Sequence, residues 1–191
     1  MTIALKDIPV PTSTASTMPA DHATVGPPIP AQQRIMLYSP TEWESFVHEW
    51  VHFCLKQQYK DVQRFTGAGD LGIDIAGFAD DQKLQGVWDN YQCKHYGAAL
   101  TPADAWPEIG KILWYSFKGE YKAPRRYFFI APRGAGTKLT RLLADASKLK
   151  DGLIENWDKH CMKSITTSQD IALEGKFHAY VKSFDFSIRN K

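Results

Sequence analysis

Asp74, Gln92 and Lys94 are the residues whose types and spacing best suit chemistry. They put a carboxylate at the end of one strand, beside an amide and an ammonium two apart on the next. Hydrolysis of a phosphodiester needs a hard divalent cation to polarise the phosphate and activate a water, and such cations prefer oxygen ligands. Asp74 offers a carboxylate, Gln92 an amide oxygen, and the backbone carbonyl of Cys93 a third oxygen. Lys94 is then placed to orient the attacking water or to offset charge growing on the phosphate. Gln92 is neutral where a second acid would bind more strongly, so metal binding is expected to be weak without substrate.

The elements that must position these groups are two strands. Ile73 and Ile75 alternate with Gly72, Asp74 and Ala76, which sets Asp74 on the face opposite the isoleucines. A polar turn containing Asp80, Asp81, Gln82, Lys83 and Gly86 follows, and a strand pattern resumes over 87–96. There Gln92, Lys94 and Tyr96 share one face, and Tyr91, Cys93 and His95 the other. A hairpin of the two strands brings Asp74, Gln92 and Lys94 together. The bland alternative is a cross-strand ion pair of Asp74 and Lys94 with no catalytic task.

The run Gly69-Asp70-Leu71-Gly72-Ile73-Asp74, followed by Gln92-Cys93-Lys94, resembles the restriction-endonuclease-like PD-(D/E)xK superfamily, specifically its Mrr-like branch with Gln in place of the second acid. Similar domains form the N-terminal part of bacterial anti-phage effectors of the CBASS and Lamassu kinds. The resemblance covers roughly Ser39 to Pro132. It implies an α/β fold with a central mixed sheet flanked by helices, a Mg2+ cofactor that Mn2+ can replace, and double-stranded DNA as substrate. It also implies control by a regulatory protein partner or by homo-oligomerisation, because an unrestrained nuclease damages its host. Among its site residues it implies an acid from the helix before the strands.

That helix is expected to start at Ser39, with Pro40 at its first position and Glu42 completing a capping box. Trp43, Phe46, Val47, Trp50 and Cys54 form its apolar stripe. Glu44 lies at the edge of the stripe and belongs to the aromatic-Glu pair Trp43-Glu44 that the family uses, so it is favoured over Glu49. The same helix carries a rival motif. His48-Glu49-Trp50-Val51-His52 is a literal H-E-x-x-H, the pattern of a zinc metallopeptidase. His48 and His52 fall almost opposite the apolar stripe, and Lys56 and Gln57 stand where a third ligand would follow.

Other patterns carry less. Gly67, Gly69 and Gly72 fit G-x-G-x-x-G but precede a strand, so they read as a tight turn that delivers Asp74. Arg133-Gly134-Ala135-Gly136-Thr137-Lys138 lacks the Walker spacing and reads as a strand-to-helix turn, where Arg133 and Lys138 suit a DNA phosphate. Lys118, Lys122, Arg125, Arg126 and Arg141 extend this basic set, although the net charge of +2 is too mild to announce a nucleic-acid binder. A nuclease fold that binds DNA without cutting it is a third reading.

At 191 residues with 43% hydrophobic side chains, the chain can bury one sizeable core. Residues 1–33, rich in Pro, Thr, Ala and Ser, read as an extended or mobile arm, and 34–191 as the nuclease domain, either whole or part of something longer. Cys54, Cys93 and Cys161 look buried and lie far apart. With no secretory signal and no bilayer-length apolar run, this favours a reduced, cytoplasmic protein without a membrane role. Further helices are expected over 101–118, 137–149, 151–161 and 173–188, and a buried strand over 125–131.

Overall fold

The computed structural model describes residues 29–67 and 69–188. The chain divides into two compact units, 1–36 and 37–191. Helix α1 (Ala31–Met36) belongs to the first, and most of the expected N-terminal arm lies outside the described residues.

Helix α2 (Pro40–Cys54) begins where the capping box requires. Ser39 Oγ accepts from the Glu42 N–H, and Glu42 Oε2 accepts from the Ser39 N–H at 2.7 Å. Its buried stripe is Trp43, Val47 and Val51, which is rotated from the expected one. Phe46 and Trp50 are more than a third exposed and Cys54 is exposed, so only Cys93 and Cys161 of the three thiols are buried. The rotation follows from the sheet beneath. Positions four apart meet it squarely, while Trp50 touches Tyr91 only edge-on and Phe46 stacks on Trp43.

Four strands form one mixed sheet in the order β1-β2-β3-β4: β1 (Asp61–Arg64), β2 (Ile75–Phe78), β3 (Trp88–Cys93) and β4 (Arg126–Ile130). The first three are antiparallel, and β4 runs parallel to β3 after the crossover helix α3 (Pro102–Phe117). Strands β2 and β3 are buried at every position. The alternation read from Ile73 and Ile75 does not survive, because the strand begins only at Ile75. Ile73 joins the core beneath α3 with Phe78, Trp88 and Ile112, whereas Ile75 pairs with Tyr91 on the α2 face. Strand β4 is an edge, and of its residues only Tyr127 is buried, not the whole run.

The α2 face is pinned by Asp89, which is wholly buried. It accepts from Tyr59 Oη at 2.7 Å and from both Arg125 and Arg126. Two members of the expected basic set are thus committed to holding β3 and β4 together. Burial works against the Asp89 charge, and the two guanidinium groups and Tyr59 outweigh it, holding the carboxyl below its ordinary value.

Beyond the sheet lie α4 (Thr137–Leu143), α5 (Ala146–Glu155), α6 (Trp157–His160) and α7 (Gly175–Ser183). The expected helix over 137–149 is two helices. The Asp145 side chain accepts from the Ser147 and Lys148 N–H groups at 3.1 Å, starting a new helix instead of continuing the old one. Helix α7 is shorter than the expected 173–188 because Phe184 turns to extended backbone. Leu149, Leu153, Trp157, Phe177 and Val181 pack on Trp106 and Leu113 of α3 in the second core. No helix among the described residues is long and apolar enough to cross a membrane.

Candidate active site

The turn before β2 is built to present Asp74. Gly67, Leu71 and Gly72 all have positive φ, and Asp70 Oδ1 accepts from the Gly72 N–H at 2.9 Å. At Gly72 two demands coincide. Its φ is +80°, and a Cβ there would stand 2.7 Å from the Cβ of Lys111 on α3. The glycine lets the turn press against the helix that closes the site.

Continuing the β2–β3 register by one residue sets Asp74 opposite Gln92. Asp74 Oδ2 accepts from Gln92 Nε2 and from the Cys93 N–H, each at 2.7 Å. Asp74 Oδ1 has no hydrogen-bond partner among the described residues. The Gln92 oxygen, counted as an oxygen donor from sequence, accepts from the buried Tyr127 hydroxyl at 3.2 Å. The Cys93 carbonyl shares a strand edge with its own N–H, because both groups of an extended residue point to one side, so it lies on the Asp74 side of β3. Burial pushes the Asp74 carboxyl up to about 6, and Glu108 and Glu44 add to this, while the Cys93 N–H and Lys94 oppose it.

Lys94 follows directly on β3, but its partner is not Asp74. Its Nζ donates to Glu108 Oε1 at 2.8 Å, and Glu108 Oε2 accepts from Lys111 at 3.2 Å. Glu108 is 8% exposed. Burial alone would lower the Lys94 pKa, and the Glu108 carboxylate overcomes that and raises it. The Glu108 carboxylate thus favours the charged form of Lys94. Sequence reading passed over Glu108, although a signal was present: it sits four before Ile112 and three after Ala105, an acid inside the buried stripe of α3.

Glu44 comes from α2 and meets Arg64 of β1 at 2.7 Å, and the same guanidinium donates to Ser45 Oγ at 2.8 Å. Its charge reaches Asp74, whereas Glu49 is exposed to solvent. Arg64, which anchors Glu44, was not singled out from sequence either. The His48 and His52 rings lie 6.4 Å apart between centroids on the outer side of α2. Among the described residues, no three His, Cys, Asp or Glu side chains converge to hold a metal by themselves. Arg133 and Lys138 are exposed on the segment from β4 into α4.

Comparison of the chain with protein-family models, curated proteins and solved structures returned no match.

Proposed function

We propose that the protein is a Mg2+-dependent endonuclease acting on double-stranded DNA, with a restriction-endonuclease-like core of the PD-(D/E)xK kind. The observation that carries this is the convergence of Asp74, Gln92 and Lys94 at one end of the β2–β3 hairpin, with Glu108 and Glu44 brought in by the helices on either face. The element order α2-β1-β2-β3-α3-β4, with β4 parallel to β3, supports the same reading. So does the donor chemistry. The free Asp74 Oδ1 and the Cys93 carbonyl are hard oxygens that fit Mg2+ or Mn2+ better than zinc.

Asp74 and the Cys93 carbonyl would hold the cation. Turning the Gln92 amide over would add its oxygen, and Glu44 would complete or support the set once it exchanges Arg64 for the cation. The bound ion supplies polarisation of the phosphate and a more acidic water. Lys94, kept charged by Glu108, donates toward the attacking water or a phosphate oxygen and offsets the negative charge of the transition state. Arg133 and Lys138 are positioned to meet flanking phosphates. We place the protein in the cytoplasm as an effector of anti-phage defence or restriction, controlled by a protein partner or by self-assembly.

A catalytically silent DNA-binding module is the second reading. It is favoured by the engagement of Glu44 with Arg64 and of Lys94 with Glu108. Plasmid cleavage with Mg2+ or Mn2+ at high protein concentration separates the two. The nuclease reading expects cutting that both Asp74→Ala and Lys94→Ala abolish while remaining folded. Cleavage that persists in both variants would sink the assigned site.

A further inference from the structure

We infer that the groove between the start of α3 and helices α4 and α5 is the track along which the backbone of the nucleic-acid substrate leaves the site, seated on Lys138 and Arg141. This rests on the nuclease reading above and adds where the substrate lies. The groove has a volume of about 870 Å³, and its apolar floor includes Trp106 and Leu142. At Gly152 helix α5 comes close to this floor, where a Cβ would stand 3.3 Å from the Trp106 ring.

Topology places the groove beside the chemistry. Strands β3 and β4 are parallel, so Lys94 after β3 and the segment after β4 emerge at the same end of the sheet. The bridge between Leu100 and Ala135 joins the two segments there, and both supply lining residues to the groove or its entrance. In open α/β sheets ligands occupy the crevice outside the carboxyl ends of the strands, and this groove continues that crevice away from Asp74.

Charge selects the occupant. Lys138 and Arg141 are exposed and make no ion pair or hydrogen bond among the described residues, in contrast to Arg125 and Arg126, which Asp89 consumes. Three residues apart on α4, they share a face with Cβ atoms about 5–6 Å apart, a spacing that suits successive phosphates of one strand. On the opposite wall Lys148 is paired with Asp145 at 3.2 Å and Glu155 adds a carboxylate, so a phosphate strand is held to the side of the two unpaired cations of α4.

The test is salt-dependent binding of a labelled DNA duplex, followed by fluorescence anisotropy in EDTA so that cleavage does not intervene. The proteins are the full chain, the double variant Lys138→Ala/Arg141→Ala, and Lys182→Ala as control. Lys182 lies on α7, which packs at the far end of α3 through Tyr180 and Ser116. Losing two phosphate contacts should make the plot of log K against log salt shallower by about 1.8. Between 50 and 200 mM salt, the double variant should then lose about 12-fold less affinity than the native chain. The control should keep the native slope. An unchanged slope in the double variant overturns the track, as does a native chain that binds no duplex. A native chain that binds through Lys138 and Arg141 yet cuts nothing with Mg2+ or Mn2+ would retain the track and leave two readings of the site, the silent DNA-binding module and a nuclease lacking its activating partner. Cleavage with an unaltered slope would remove the track and retain the nuclease reading.

Discussion

Replacing Asp74 by Asn should make the metal-free protein more stable at neutral pH while abolishing the proposed cleavage. The Asp74 carboxyl is pushed from 3.8 to about 6, chiefly by burial, with Glu108 and Glu44 adding to it. Because the folded pKa lies above the unfolded one, the folded state holds the proton more tightly between about pH 4 and 6. Stability therefore falls as pH rises through that window. A displacement of roughly two pH units corresponds to about 3 kcal/mol, present as destabilisation above pH 6 and absent below about pH 4. Asn fits without rearrangement. Its oxygen can take the place of Oδ2 and accept from Gln92 and Cys93, and its amino group the place of Oδ1, which has no partner among the described residues. For a domain of this size about 3 kcal/mol is roughly 6–12 °C in melting temperature. Thermal melts followed by circular dichroism in EDTA from pH 4 to 8 should show the variant pulling ahead as pH rises. Added Mg2+ should then raise the wild type alone by mass action. A stability difference that does not change with pH, or an Asn variant less stable at pH 7.5, would refute the argument that burial destabilises the Asp74 carboxylate.

Other outcomes follow from the same geometry. Lys94→Ala should lower the proposed cleavage by at least about 10²–10³-fold, which abolishes it in the plasmid assay, with little change in DNA affinity, as expected of a group acting on transition-state charge; an equal loss of affinity would make it a binding residue. Glu108→Gln leaves Lys94 and Lys111 without their shared anion and should cost about 3 kcal/mol in urea unfolding; a neutral result would mean the ion pairs are solvated. Gly72→Ala meets both the positive φ and Lys111, and should lose at least about 1–2 kcal/mol together with activity; an unchanged melting temperature would show that the turn can relax. Asp89 is held below its ordinary pKa, so its contribution is complete above about pH 4 and is lost as pH falls through the folded value; the stability of Asp89→Asn in urea unfolding should fall less steeply than that of the native chain as pH drops below about 4, and an unchanged slope would remove this role.

Much of the frame was legible in the chain. The capping boxes at Ser39 and Thr101 set the starts of α2 and α3 within the sequence itself, because the groups that satisfy the first N–H donors lie three residues away. The glycine turn and the spacing from Gln92 to Lys94 likewise placed the carboxylate and the lysine beside neighbouring strands, although Asp74 falls just before β2 and Lys94 just after β3, because strand ends are set by pairing. Other features are set by contacts far apart in sequence. Which stripe of α2 is buried depends on Tyr91, and β4 is an edge because no strand among the described residues pairs beyond it. Arg125 and Arg126 are spent on Asp89, some 36 residues away. Local pattern set the types and order of the groups that could do chemistry. Only tertiary packing decided their charges, by burying Asp74, bringing Glu108 from α3 onto Lys94, and setting Arg64 against Glu44, because desolvation and ion pairing depend on neighbours that the sequence order does not reveal.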